Sequence, residues 1–108
     1  KVAVIEDSTS EDFLRYHKVK IVLANSFDDL LAKLKDGRSD AIVYDAPPLM
    51  YAAKLDPSIK VVGRMFADQR YGLVFPNTGG EELKELFDIE IMISRQNGEY
   101  QKIYNKWF

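Results

Sequence analysis

The chain has 108 residues, a net charge of −2, 46% hydrophobic and 30% charged residues, one histidine and no cysteine. That length allows a single core of ordinary size, and the nearly balanced charge leaves no basic footprint for nucleic acid or an anionic membrane. Without cysteine there are no disulfides, no thiolate catalysis and no cysteine-based metal site, and a single histidine makes a transition-metal site unexpected.

Val2–Ile5 (VAVI) is a continuous β-favouring apolar run, the pattern of a strand buried on both faces. Ser8-Thr9-Ser10-Glu11 then fits a capping box, with Ser8 as N-cap and Glu11 at the third helical position, and predicts a helix to about Tyr16. His17, at the end of that helix, reads as a solvated residue. Ile21–Ala24 (IVLA) is a second strand. Asn25 or Ser26 caps a helix through Leu30, Leu31 and Leu34, which Gly37 ends. Ala41–Tyr44 (AIVY) is a third strand with Asp45 at its end. Pro47 and Pro48 fit only the first turn of the next helix, which runs from Leu49 to about Leu55 and is closed by Asp56-Pro57.

Lys60–Gly63 (KVVG) and Tyr71–Phe75 (YGLVF) read as two more strands, and the segment 76–80 (PNTGG) as a loop. Helices over about 81–96 and 99–107 finish the chain, parted by Asn97-Gly98. The first carries an apolar stripe of Leu83, Leu86, Phe87, Ile91 and Ile93. The second carries Tyr100, Ile103, Tyr104 and Trp107, a stripe suited to core packing. No run of apolar residues approaches the roughly 18 needed to cross a membrane, and no signal peptide is apparent. Lys1 leads straight into a strand, which suggests a piece of something larger.

Alternating strands and helices in the first 63 residues argue for an α/β fold, a mostly parallel sheet with right-handed crossovers. Ligands of such sheets bind beyond the carboxyl ends of the strands. The first strand ends at Asp7-Ser8-Thr9 and the third at Asp45, so these two polar ends should share one rim. Each has a plain reading and a functional one. Ser8 to Ser10 can simply cap a helix, worth about 1 kcal/mol, or offer amides and hydroxyls to an anion at the positive end of the helix. Asp7 beside them would repel an anion unless turned away. Asp45 can cap the following helix, or receive an ammonium group through charge-assisted hydrogen bonds. The hydroxyl-lined helix end and the lone carboxylate together would suit a zwitterion.

Glu6-Asp7 and Asp45 also raise the possibility of a phosphoacceptor receiver domain. That fold needs another complete strand-helix-strand unit, and Arg64–Arg70 are too few for a crossover of roughly 10 to 12 residues; no lysine follows Phe75. Asp28-Asp29 and Glu81-Glu82 read as solvated first-turn acids. No nucleophile-base pair is visible, so the chain is not expected to be an enzyme.

Four stretches, "VAVIEDSTSEDFL", "GRSDAIVYDAPPLMYAAK", "KVVGRMFADQRYGLVFP" and "NGEYQKIYNKWF", together resemble the second lobe of a type 2 periplasmic binding protein of the family-3 amino-acid-binding group. Ionotropic glutamate receptor ligand-binding cores share that fold. The resemblance implies one Rossmann-like lobe of a clamshell that closes on an amino acid, with residues 1–75 as sheet core and 76–108 as hinge return and C-terminal helices. It places Ser8 and Thr9 where the family meets a ligand carboxylate, Asp45 where it holds the α-ammonium, and Tyr71 on the segment crossing the hinge. Asp7 stands where the family usually has glycine, which tilts the expectation from acidic ligands to neutral or basic ones. The implied partners are an amino acid or small zwitterion, the missing first lobe of the same parent, and a membrane transporter or channel pore; no cofactor and no nucleic acid are implied. The expected location is outside the cytoplasm, at the periplasm or cell surface. A sensory domain of a signalling or cell-wall enzyme is the alternative from another class.

Overall fold

A central strand with a parallel neighbour on each side organises the first half of the molecule. In the computed structural model, which describes residues 1–66 and 71–108, β1 (Val2–Ile5) lies between β2 (Ile21–Ala24) and β3 (Ala41–Ile42), giving the order β2-β1-β3. Val2 pairs with Ile21 and with Ala41, and Ala3 pairs with Val22 and with Ile42. The chain divides into two units, Lys1–Leu49 and Met50–Phe108.

In the first unit, α1 (Thr9–Tyr16) follows β1 and α2 (Phe27–Lys35) follows β2. Ala3, Ala24 and Leu30 form the buried centre, with Ile5, Phe27, Ile42 and Tyr44 packed around it. Strand alternation turns Val4 to the opposite face from Ala3 and Ile5, and Val4 is fully buried too, so the sheet is covered on both sides. Leu14 is the buried apolar residue of α1.

The helix ends follow the sequence closely. Ser8 is the N-cap of α1; its Oγ accepts the Glu11 N–H at 3.1 Å and donates to the Ile5 carbonyl at 2.7 Å. Glu11 departs from the simple capping box. Its carboxylate accepts the N–H of Asp7 at 2.7 Å, not that of Ser8, because Asp7 has φ 56° and the left-handed turn swings its amide over the helix end. Arg15 Nε donates to the same carboxylate at 2.6 Å. The bond from Arg15, followed by that from the Asp7 amide, holds the buried Glu11 carboxyl below the usual carboxylate range. His17 is the C-cap of α1, exposed, with Nδ1 2.9 Å from the Phe13 carbonyl oxygen. Of the two candidates for the second cap, Ser26 serves: it accepts the Asp29 N–H at 3.1 Å, while Asp29 returns to the Asn25 N–H at 3.2 Å and pairs with Lys33. Gly37, at φ 70°, supplies the left-handed residue that ends α2.

Two expectations need correction here. β3 stops at Ile42, two residues short of the expected Tyr44, although the Val43 N–H still reaches the Ala3 carbonyl at 3.0 Å. The helix after it, α3 (Ala46–Leu55), starts three residues earlier than expected, so that both prolines lie inside its first turn. Proline needs no amide there and its φ already suits a helix.

The second unit departs further. Neither 60–63 nor 71–75 is a strand, and residues 67–70 of the expected connection between them lie outside the described residues. Val62 is 76% exposed and Val74 is 96% exposed. Branched side chains favour strands only where a neighbouring strand and a packed face receive them. The two C-terminal helices form as expected, α4 (Glu81–Gln96) and α5 (Glu99–Trp107), with Gly98 at φ 84° between them. The correction concerns their faces: no residue of either helix is buried, so the stripe of Tyr100, Ile103, Tyr104 and Trp107 is not core here. Lys54 Nζ donates to the Lys106 carbonyl at 2.8 Å, and the Tyr51 and Trp107 rings are 6.1 Å apart, which ties α3 to the end of α5.

Two outcomes follow from these contacts. Ser39 is buried and its Oγ makes no hydrogen bond among the described residues, so Ser39→Ala should leave stability unchanged or raise it by up to about 1 kcal/mol in urea unfolding. The folded pKa of Glu11 lies below its unfolded value, so its stabilisation is complete above the unfolded pKa of about 4.3 and is lost as pH falls through the lower folded value. Glu11→Gln should therefore lower the urea midpoint at pH 7 and differ less from the parent near pH 3.

Candidate functional site

Parallel neighbours end at the same edge, so the turn after β1 and the residues after β3 both leave the sheet at its carboxyl rim. This brings Asp7, Ser8 and Thr9 to one strand end and Asp45 to the adjacent one. Both belong to the first unit.

The residues at the first end differ in what they can offer. Thr9, Ser10 and Glu11 open α1, and the first intrahelical donor is the Asp12 N–H, 3.2 Å from the Ser8 carbonyl. The amides of the first turn precede any intrahelical acceptor, and the helix dipole makes this end positive. The Ser8 hydroxyl is engaged by the cap in both directions, so the hydroxyl at the exposed surface is that of Thr9. Asp7 is exposed, and its carboxylate has no hydrogen bond or ion pair among the described residues.

Asp45 can be read from its neighbours. The Leu49 N–H lies 3.4 Å from the Asp45 carbonyl, which puts Asp45 at the N-cap position of α3. An N-cap side chain accepts from the N–H of the second or third helical residue. Those residues are Pro47 and Pro48, which have no N–H. The backbone amides that an N-cap side chain ordinarily meets are thus missing at these two positions. Asp45 is exposed at the rim.

Tyr71 belongs to the second unit. It is 79% exposed and lines a groove with Gly72, Lys84 and Asp88, in which Lys84 Nζ donates to Asp88 at 2.6 Å. The paired acids at 28–29 lie in the first turn of α2, where Lys33 holds the Asp29 carboxyl below its usual range. Among the described residues no three histidine or acidic side chains converge as metal ligands. Sequence reading missed the part Glu11 plays in fixing Asp7. The Glu-to-Arg spacing of four residues, Glu11 to Arg15, was the available signal, since such pairs meet on a helix surface.

No protein-family model matches the chain. Among curated proteins, the chain is 31% identical over 86 residues to an arginine-binding periplasmic protein of Mannheimia haemolytica, covering 76% of this chain and 36% of that one. It is 27% identical to a putative ABC transporter arginine-binding protein 2 of Escherichia coli (strain K12), over all of this chain and 47% of the relative. It is also 34% identical over 86 residues to the human ionotropic glutamate receptor NMDA 2C, covering 76% of this chain and 7% of the receptor. A solved ancestral arginine-binding protein bound to glutamine superposes with a TM-score of 0.69 at 33% identity, over 99% of this chain and 49% of that structure. The chain thus spans about half the length of these bacterial-type relatives or less. Among the described residues no helix is long and apolar enough to cross a membrane. Sequence and fold together make the chain a single lobe of the type 2 periplasmic binding proteins, in the family-3 amino-acid-binding group whose fold the ionotropic glutamate receptor cores share.

Proposed function

We propose that this lobe binds, and does not transform, an amino-acid-like solute outside the cytoplasm, as one half of a clamshell receptor. The observation that carries the reading is the shared rim, where parallel pairing of β1 and β3 sets the open end of α1 beside Asp45. In this reading the first-turn amides and the Thr9 hydroxyl meet the ligand carboxylate, the Ser8 amide supports them, and the Asp45 carboxylate receives the α-ammonium. The exposure of Asp45 at the rim favours this role. Tyr71 belongs, in the same reading, to the chain segment passing through the hinge.

The partner on the other side of the ligand is the first lobe of the parent protein. Two features support it: the relatives are about twice the length of this chain, and Leu83, Leu86, Phe87, Ile91 and Ile93 on α4 are all exposed. An apolar surface of that extent on a soluble lobe marks an interface. The relatives named for arginine binding and ABC transport favour a membrane transporter as the next partner. The receptor match favours a channel pore, and two apolar helices upstream of Lys1 in the parent gene would decide for it.

A lone lobe supplies two or three charge-assisted contacts, each worth about 1.5–3 kcal/mol. Micromolar binding requires about 8 kcal/mol after the cost of association. Titration of the chain with each amino acid, followed by NMR, should therefore shift the amides of residues 7–10 and 45–46 with millimolar midpoints. Submicromolar binding, or shifts confined to other residues, would refute the reading. Asp45→Ala should change stability by no more than about 1 kcal/mol, the scale of a charge near a helix end, and abolish these shifts.

A further inference from the structure

We propose that Asp7 sets the charge selectivity of the rim, favouring amino acids with a cationic side chain and excluding those with an anionic one; the proposal rests on the ligand reading given above. Asp7 is one of two non-glycine residues at positive φ among the described residues, the other being Lys18. Glycine would adopt φ 56° without strain, and an acid adopts it at some cost. The turn holds it there from both sides. The Asp7 N–H is bound by the Glu11 carboxylate at 2.7 Å, and the next residue is fixed by the two bonds of the Ser8 hydroxyl.

The Asp7 carboxylate takes no part in this scaffold. Ser8 already occupies the cap, the Glu11 amide is already bound, and the acid stands exposed with no hydrogen bond or ion pair among the described residues. Its surroundings share its sign. Glu6 precedes it, Asp45 ends the neighbouring strand, and no lysine or arginine occurs between Val2 and Leu14. The next cation along the chain, Arg15, is bonded to Glu11, and Lys1 lies before β1, at the other end of that strand.

Every amino acid brings the same α-ammonium and α-carboxylate, so these contacts cancel when ligands are compared. What remains is the charge of the side chain. A cation entering this rim is attracted and an anion repelled, whereas a neutral amide such as that of glutamine is indifferent. Glutamine and glutamate are nearly identical in shape, so their affinity ratio isolates the charge effect. The relatives named for arginine, and the solved neighbour that holds glutamine, lie on the cationic and neutral side of this division.

The test is an NMR titration of the chain with L-arginine, L-glutamine and L-glutamate at millimolar concentration and constant ionic strength, read at the amides of residues 7–10 and 45–46. The parent chain should bind arginine at least as well as glutamine, and both better than glutamate. Asp7→Asn keeps a residue that tolerates the left-handed turn. It should improve glutamate relative to glutamine by about three- to tenfold, the scale of an exposed charge pair, and leave glutamine within about twofold. Asp7→Gly, which suits the backbone better still, should give the same shift in the ratio. A glutamate-to-glutamine ratio unmoved in both variants would overturn the role of Asp7 while the parent's binding of amino acids still stood. Failure of all three amino acids to shift the rim of the parent chain would instead overturn the ligand reading, and this proposal with it.

Discussion

The parallel pairing of β1 with a strand on each side is the constraint on which the rest of this lobe depends. Parallel strands deliver their ends to one edge, and the crossover helices that connect them must start at that edge. The central strand is a short run of four small or branched apolar residues, and Ala3 and Val4 on its two faces are wholly buried. Because the helices have to cover such a strand on both sides, every polar group that caps them is driven to the rim. The same topology that hides Val2–Ile5 therefore exposes Asp7, Thr9 and Asp45 together.

Local chemistry then separates residues that hold the rim from residues that face outward. Ser8 and Glu11 hold it: hydroxyl, carboxylate and three backbone groups bond one another within a single turn, and Arg15 secures the carboxylate from the next turn of α1. Such a network fixes the turn by pairing the Asp7 and Glu11 amides and the Ser8 hydroxyl. Asp45 lies exposed just before α3, whose second and third residues are prolines without an amide proton. One strand end thus carries first-turn amides and a hydroxyl and the other a carboxylate, the arrangement on which the proposed amino-acid site rests.

The second unit leaves residues of core-like composition in solvent. Its helices carry amphipathic stripes, yet Leu86, Phe87 and Trp107 remain partly in solvent, and the Val61-Val62 and Leu73-Val74 pairs find no ladder. Contacts within this unit include Lys54 reaching the carbonyls at the end of α5 and Phe75 against Phe87 at 5.7 Å. Residues with the composition of core, held without a core around them, are what the proposed first lobe would cover.

Much of this was determined by the sequence alone. VAVI and IVLA are strands because continuous branched apolar runs suit burial on two faces; Ser8, Ser26, Gly37 and Gly98 mark helix ends because hydroxyl caps and left-handed residues do so wherever they occur. These are local rules, and the structure follows them to the residue for α1, α4 and α5. Tertiary structure decided the rest. Whether KVVG and YGLVF become strands depends on a partner strand that no local pattern can supply. The destination of the Glu11 carboxylate depended on the left-handed turn at Asp7, and the place of Asp45 directly before a helix on α3 starting at Ala46 and not later. Propensity acts between neighbours in the chain, whereas pairing, burial and the direction of a carboxylate are settled by groups that only folding brings together.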